Sequence, residues 1–127
     1  VCWLDDDDDI APDYVETILR LAYEGGDVLT FSNLSMLENF YCVVRMKKNV
    51  KEDDQAKPGV INRRPYHVCG WLREIALKAG FEDLNWDEDT GFVSRALSLC
   101  RTEQHVENII HIYKRLDKSY AEEAVRS

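Results

Sequence analysis

Apolar residues recur at helical spacing along most of the chain, and they are densest between residues 66 and 100. Pro65 biases the preceding residue away from helical geometry, so a helix is predicted to start near Tyr66 and to end at Gly80. Asn85, with Glu88 three residues later, forms a capping box that opens a further helix, predicted at residues 86–100. The apolar faces of these two helices are, in order, Val68, Trp71, Leu72, Ile75 and Ala79, then Phe92, Val93, Ala96, Leu97 and Cys100.

Two more helices follow from the same periodicity near the ends of the chain. Pro12 suits the first turn of one helix, which Gly25 and Gly26 end. Its predicted apolar face comprises Tyr14, Val15, Ile18, Leu19 and Ala22. Thr102 is the predicted N-cap of the last helix, whose apolar face comprises Val106, Ile109, Ile110, Tyr113 and Leu116.

The segment before residue 47 predicts the remaining helix, for which two starts are open. Ser35 with Glu38 forms one capping box, whereas Asp27 could cap a longer helix. A strand here would place Leu37 and Phe40 on opposite faces, so a helix is favoured. Its predicted apolar face comprises Leu34, Leu37, Phe40, Tyr41 and Val44.

These five amphipathic helices predict an all-α fold, a compact bundle of five to seven helices in a single domain over residues 1–127. Residues 1–11 are expected to be extended or mobile. Residues 47–65 are rich in charge and contain a Pro58-Gly59 turn, which predicts a solvated loop. The chain begins with Val1 rather than Met, so a missing N-terminal helix is also compatible with the sequence.

The charge of the chain narrows the choice of partners. It has 24 Asp and Glu residues against 16 Lys and Arg, a formal net charge of −8, which disfavours binding to nucleic-acid phosphates. A basic or apolar partner surface suits this charge better.

No apolar run approaches the roughly 18–20 residues of a membrane span, and no secretory signal precedes the acidic run at residues 5–9. A cytoplasmic protein is therefore expected, with the acidic run as a solvated end or as a contact for a basic partner.

The four cysteines do not form a recognisable metal or redox motif. None belongs to a C-x-x-C pair, and Cys42, Cys69 and Cys100 each fall among apolar residues. This favours free thiols that act as small hydrophobic side chains in a reducing compartment. Two disulfides, in any of three connectivities, are the alternative that the sequence leaves open.

No catalytic, metal or cofactor site is predicted. His105 and His111 are six residues apart and would point to different sides of one helix, and His67 and Cys69 diverge likewise, so no local pair offers two metal ligands. The acidic run at residues 87–89 fits neither register of a calcium loop, which needs glycine at its sixth position and glutamate at its twelfth. A cysteine–histidine nucleophile pair would meet only in space, and the sequence gives no sign of one.

Two short stretches resemble signatures of the Bcl-2-like apoptosis regulators, a family that includes divergent viral members. The first is L-A-Y-E-G-G-D-V at residues 21–28, and the second is F-E-D-L-N-W-D-E-D at residues 81–89. Ala22 stands where the family signature has leucine, and Asp87-Glu88 stands where it has Gly-Arg. Arg95 or Arg73 would then have to supply the family's ion pair with its partner helix.

The resemblance implies a host-cytosol binding protein that captures the amphipathic helix of a pro-apoptotic protein in an apolar groove. The residues that would form the groove are Leu37, Tyr41, Val44, Trp71, Ile75, Phe92 and Val93, with Asn85 and Arg95 as polar contacts. The same apolar side chains are also needed for a core. A helical adaptor or self-associating module acting on host signalling, with a homodimer as one form, is the alternative. An enzyme would instead require a polar cleft with convergent titratable groups.

Overall fold

A computed structural model of the chain describes residues 1–6, 8–80 and 88–114, with side-chain placements from residue 91 onward in the last range. The described part contains three helices and one sheet of six strands, so the predicted all-α, Bcl-2-like bundle is wrong. The elements, in chain order, are β1 (Asp9–Ile10), α1 (Tyr14–Glu24), β2 (Val28–Met36), β3 (Tyr41–Met46), β4 (Gly59–Arg63), β5 (Gly70–Trp71), α2 (Arg73–Ala79), α3 (Glu88–Leu99) and β6 (Glu103–Lys114).

Strand β2 occupies the centre of the sheet. The strand order is β1-β6-β2-β3-β4, with β5 paired to the first residues of β2, where Val28 lies opposite Trp71. Strand β2 runs parallel to β6 and antiparallel to β3, and β3 runs parallel to β4. Each residue of β2 is buried or half-buried, and its near-continuous apolar start, V-L-T-F, is typical of a strand covered on both faces.

The predicted second helix is a β-hairpin. Strand β2 ends at Met36, the Leu37 N–H donates to the Phe40 carbonyl across a 3.0 Å contact, and β3 begins at Tyr41. In β3 the residues Cys42, Val44 and Met46 are buried and alternate with more exposed ones, the period expected of a strand with one face on the core. The spacing of apolar residues from Leu34 to Val44 favoured a helix wrongly, because apolar residues on both faces of β2 and β3 also fall at helical spacings.

The predicted last helix is strand β6, which contains an irregularity. It takes six residue steps from His105 to His111 where β2 takes three from Thr30 to Asn33, so β6 bulges away from its neighbour. The bulge interrupts the two-residue alternation, so the adjacent Ile110 and His111 are both buried and the three residues before them are all exposed. This interruption explains why the sequence pattern of β6 imitates a helix.

Two predicted helices are confirmed, with differences. Helix α1 ends at Gly25 in the left-handed conformation, with φ of 85°, as its sequence predicts. Its buried residues are Tyr14, Thr17 and Leu21, whereas Val15 and Leu19, predicted to face the core, are exposed. Helix α3, at Glu88–Leu99, nearly coincides with the helix predicted at residues 86–100.

The segment around residue 70 and the charged loop also differ from prediction. Helix α2 begins only at Arg73, because the residues before it form a turn and then β5. The predicted loop at residues 47–65 contains β4, and the first eleven residues include β1. Trp3 also packs edge-on against Phe92, with their ring centroids 5.0 Å apart.

The core lies between the three helices and one face of the sheet. Phe92 of α3 contacts both Trp3 and Trp71, and Tyr14 of α1 packs edge-on against Phe31 of β2. All four cysteines are free, and Cys42, Cys69 and Cys100 are buried, as predicted for thiols that serve as hydrophobic side chains. Burial raises the pKa of the Cys100 thiol to about 11, so it stays protonated at neutral pH.

Asp27 connects three parts of the chain at one point. Its Oδ2 accepts hydrogen bonds from the backbone N–H groups of Arg101, at 2.8 Å, and Thr102, at 3.2 Å. Its carbonyl accepts from the Leu72 N–H at 2.9 Å. The Arg101 hydrogen bond, followed by those of Thr102, holds the pKa of the Asp27 carboxyl below its ordinary value.

We expect Asp27→Ala to lower the free energy of unfolding by about 1–2 kcal/mol at pH 7, because two backbone donors lose a charged acceptor. Folding lowers the pKa, so the carboxylate stabilises the fold fully above its ordinary value of 3.8 and loses this contribution as the pH falls through the lowered value. The difference in melting temperature between wild type and variant should therefore shrink at acidic pH.

Circular-dichroism melts at pH 7 and near pH 2.5 measure this difference. Asp13→Ala is the matched control, because the Asp13 side chain makes no capping hydrogen bond at the start of α1. Equal melting temperatures for wild type and Asp27→Ala at pH 7, or a gap that stays constant at low pH, would contradict the role of Asp27.

Candidate functional site

A cavity of about 490 Å³ opens on the helix-covered face of the sheet. We call it the Asp8 cleft. Its size lies within the range of small-molecule sites. Its walls come from the N-terminal segment, from strands β2, β3, β4 and β6, from helix α3 and from the segment that follows β4. Its lining residues include Asp8, Asn33, Arg63, Tyr66, Val93 and His111.

A chain of buried polar side chains forms one wall of the cleft. Asp8 Oδ2 lies 2.9 Å from His111 Nε2, and their side chains are only 2% and 4% exposed. His111 Nδ1 lies 2.8 Å from Asn33 Oδ1, and Asn33 Nδ2 donates to Ser35 Oγ at 2.7 Å. Sheet pairing sets this geometry, because His111 of β6 lies directly opposite Asn33 of β2 and Ser35 follows on the same face.

The hydrogen-bond pattern of this chain can serve two protonation states of His111. With the Asn33 oxygen towards Nδ1, both ring nitrogens face acceptors, which fits an imidazolium paired with the Asp8 carboxylate. If the Asn33 amide turns by 180° and the Ser35 hydroxyl donates instead of accepting, a neutral imidazole is equally well bonded. Both arrangements satisfy the two ring nitrogens of His111.

Asp8 Oδ1 and Arg63 Nε are buried on the cleft walls and lack a hydrogen-bond partner within the described residues. Leaving such a group unsatisfied costs about 1–3 kcal/mol, and more when it is charged. Native structures contain few such atoms, and those at a cavity are candidates for contact with a water or a ligand.

The other charges of the cleft are paired near its mouth. Arg64 donates its backbone N–H to Glu52 at 3.1 Å and its guanidinium to Ser94 at 3.3 Å. His67 lies 3.5 Å from Asp5. These groups are more exposed than Asp8. Water therefore screens their charges, and they would attract a charged ligand less strongly.

Burial raises the pKa of the Cys42 thiol, although the Arg63 charge opposes the shift. Burial likewise raises the pKa of Tyr66. Both groups are therefore neutral at physiological pH, and Cys42 lacks the thiolate that a nucleophile requires.

The residues predicted for an apolar groove lie in separate places. Leu37, Val44 and Val93 line the Asp8 cleft. Trp71, Ile75 and Phe92 are buried in the core, and Tyr41 is exposed on the opposite face of the sheet.

The two predicted polar contacts do not join this set. Arg95 donates from Nε to the Ala79 carbonyl at 2.6 Å, so it connects α3 to the end of α2. Asn85 lies outside the described residues. The key residues of the cleft were missed because Asp8 belongs to an acidic run and His111 was assigned to a helix. The alternation of Asn33 and Ser35 with Leu34 was the available signal for a strand with a polar face.

A second polar cluster lies on the other face, at the bulge of β6. Thr30 donates to Glu103 at 2.7 Å and contacts His105 Nδ1 at 2.8 Å, while His105 Nε2 lies 3.1 Å from Glu107. Burial opposes ionisation of Glu107, but the hydrogen bond and charge of His105, then those of Arg45, hold its pKa below the ordinary value. Each of the four side chains of this cluster has a hydrogen-bond partner within it, which fits a structural role.

The described residues contain no group of three or more His, Cys, Asp or Glu side chains placed to hold a metal ion. Within the same residues, no helix is long and apolar enough to cross a membrane.

We expect Asp8 and His111 to be strongly coupled in stability. His111→Leu leaves the buried Asp8 carboxylate without its partner, which costs about 3–5 kcal/mol. Asp8→Ala in the same chain should recover part of this loss, giving a coupling energy of about 1–3 kcal/mol in a double-mutant cycle. Urea denaturation of the four proteins measures it.

The exposed ion pair Arg45–Glu107, at 2.9 Å, provides the control cycle. Its coupling should be about 1 kcal/mol or less, because both side chains are solvated. An Asp8–His111 coupling no larger than this control would show that the buried pair is not a connected unit.

No protein-family model, curated protein sequence or solved structure matches the chain.

Proposed function

We propose that the protein binds a small polar molecule in the Asp8 cleft. The observation that carries the proposal is the Asp8 carboxylate, which is almost completely buried yet keeps Oδ1 unpaired at a cavity wall within the described part of the chain. A buried carboxylate is costly for a fold, and a residue with only a structural role would be expected to have both oxygens bonded. A ligand that donates a hydrogen bond to Oδ1 would remove this cost.

The composition of the walls supports a small molecule rather than a polymer. Val44, Val68 and Val93 provide apolar surface beside the few polar groups, the combination typical of small-ligand sites. The net charge of −8 and the acidic residues at the cleft disfavour nucleic acid. The lack of a catalytic motif in the sequence predicts that the protein is not an enzyme, and this stays a prediction.

Capture of a pro-apoptotic helix is not supported by this geometry. Such recognition uses a long apolar groove between elements. Of the residues expected to line the groove, Trp71, Ile75 and Phe92 are buried in the core.

We expect a screen of small polar metabolites to yield compounds that bind with dissociation constants below about 1 mM, since a cleft of this size can enclose most of such a ligand. Amide signals of Asn33, Ser35, Val93 and His111 in ¹H–¹⁵N NMR spectra should shift on binding. Asp8→Asn should weaken binding about tenfold, because the charged acceptor is lost.

Asp54→Asn is the matched control, because Asp54 is exposed and does not line the cleft. Unchanged cleft signals throughout the screen, or shifts confined to other regions, would show that the cleft is only a structural cavity.

A second candidate function is self-association through the sheet face that the described helices leave uncovered. Leu34, Val43 and Val60 pair across β2, β3 and β4 on the face opposite the Asp8 cleft. On this face Tyr41, Val60 and Ile109 are 59%, 57% and 40% exposed. An uncovered apolar sheet face commonly packs against a second sheet, and a homodimer would provide one.

If this face forms a dimer, sedimentation velocity should show a concentration-dependent shift towards twice the monomer mass. Tyr41→Lys should abolish it, because a lysine charge would be placed within the apolar contact. Tyr23→Lys, an exposed position on α1, is the control. A monomer at all concentrations, or equal effects of the two variants, would exclude this interface.

A further inference from the structure

The Asp8 cleft combines three kinds of surface that together specify a chemical class of ligand. One wall presents a buried carboxylate oxygen that can only accept hydrogen bonds. Another presents a guanidinium, and the remainder is largely apolar. Each surface restricts the ligand independently of the others.

Arg63 supplies the positive charge. It follows the buried Ile61 by two residues on β4, so its side chain starts on the cleft face of the sheet. Its charge reaches Cys42 and Tyr66, since it opposes the rise in pKa of both groups. Arg63 makes no ion pair within the described residues, whereas the neighbouring Arg64 is paired with Glu52. A guanidinium with a buried, unbonded Nε is suited to a carboxylate.

Asp8 requires a donor. Its Oδ2 is engaged by His111, so a ligand would meet Oδ1, where an ammonium or hydroxyl group can donate. The Asp8 charge is partly compensated by His111 and the Arg63 charge is not, so the cleft does not favour a simple cation.

The apolar walls set the rest of the molecule. Leu37, Val44, Ile61, Val68 and Val93 line the same cavity, which holds about 490 Å³. This space exceeds what a carboxylate and one donor group fill, and a hydrocarbon or aromatic side chain would occupy the remainder favourably.

We infer that the ligand is a small amphipathic carboxylic acid that also carries a hydrogen-bond donor, such as an apolar amino acid or hydroxy acid. The inference rests on the proposed binding function of the cleft. The carboxylate contacts Arg63, the ammonium or hydroxyl donates to Asp8 Oδ1, and the apolar group packs against the valines of β3 and α3. A ligand lacking either polar group leaves one buried polar atom of the cleft without a partner, which is a strong form of discrimination for such a site.

Four related probes test the inference by NMR titration of the intact chain. Phenylalanine and phenyllactate carry both polar groups, phenylpropionate lacks the donor, and phenethylamine lacks the carboxylate. We expect at least one of the first two to shift the cleft signals with a dissociation constant at least tenfold lower than those of the last two.

Substitutions assign each preference to its residue. Arg63→Gln should remove the advantage of phenylalanine over phenethylamine, and Asp8→Asn should remove its advantage over phenylpropionate. Arg73→Gln, on the exposed start of α2, is the control and should change neither ratio. Circular-dichroism melts establish that each variant is folded, and if Asp8→Asn unfolds, the Arg63→Gln comparison alone decides.

The outcomes separate the inference from the proposed function. If phenethylamine or an uncharged metabolite binds the cleft as tightly as phenylalanine and phenyllactate, the ligand class is wrong while binding in the cleft stands. If no probe and no screened compound shifts the cleft signals, both fail. Ratios that Arg63→Gln leaves unchanged would overturn the assigned role of Arg63.

Discussion

The pairing of β2 with β6 is the constraint on which the rest of the structure depends. Strand β2 has neighbours on both edges, and its residues are buried or half-buried along its whole length. Helix α1 packs on this pair of strands, and Asp27, one residue before β2, ties the starts of β6 and α2 to it. Because a central strand has no solvated edge, its backbone groups must be bonded by its neighbours. The position of every neighbour therefore follows from β2.

The same pairing creates the candidate site. Asn33 and His111 meet because they are opposite each other in adjacent parallel strands, and Asp8 reaches His111 because β1 pairs with the outer edge of β6. A folded chain can keep a carboxylate and an imidazole in its interior only when each has bonding partners. Here the sheet supplies partners for His111 completely and for Asp8 only in part. The unpaired Oδ1 of Asp8 distinguishes the Asp8 cleft from the cluster around His105, in which each side chain has a partner.

Local signals in the sequence predicted the helices better than the strands. Gly25 ended α1 where expected, because a glycine after an apolar stripe is a local signal that tertiary contacts rarely change. The buried face of α1 was predicted with some wrong residues, since Thr17 is buried and Leu19 is not. For β2, burial on both faces left alternation only in the short stretch from Asn33 to Ser35, and in β6 the bulge interrupted it. The cleft could not be predicted, because Asp8, Asn33 and His111 are brought together only by the sheet.

The order of the strands along the chain also has a consequence for synthesis on the ribosome. Strand β2 is complete at residue 36, but its parallel neighbour β6 begins only at residue 103. At typical translation rates of about 5–20 residues per second, this interval lasts about 3–13 seconds. During this interval the nascent chain can form the β2–β3 hairpin, yet one edge of its central strand stays open to other chains. Protection by chaperones in these seconds, rather than the stability of the finished fold, would then limit the yield of native protein.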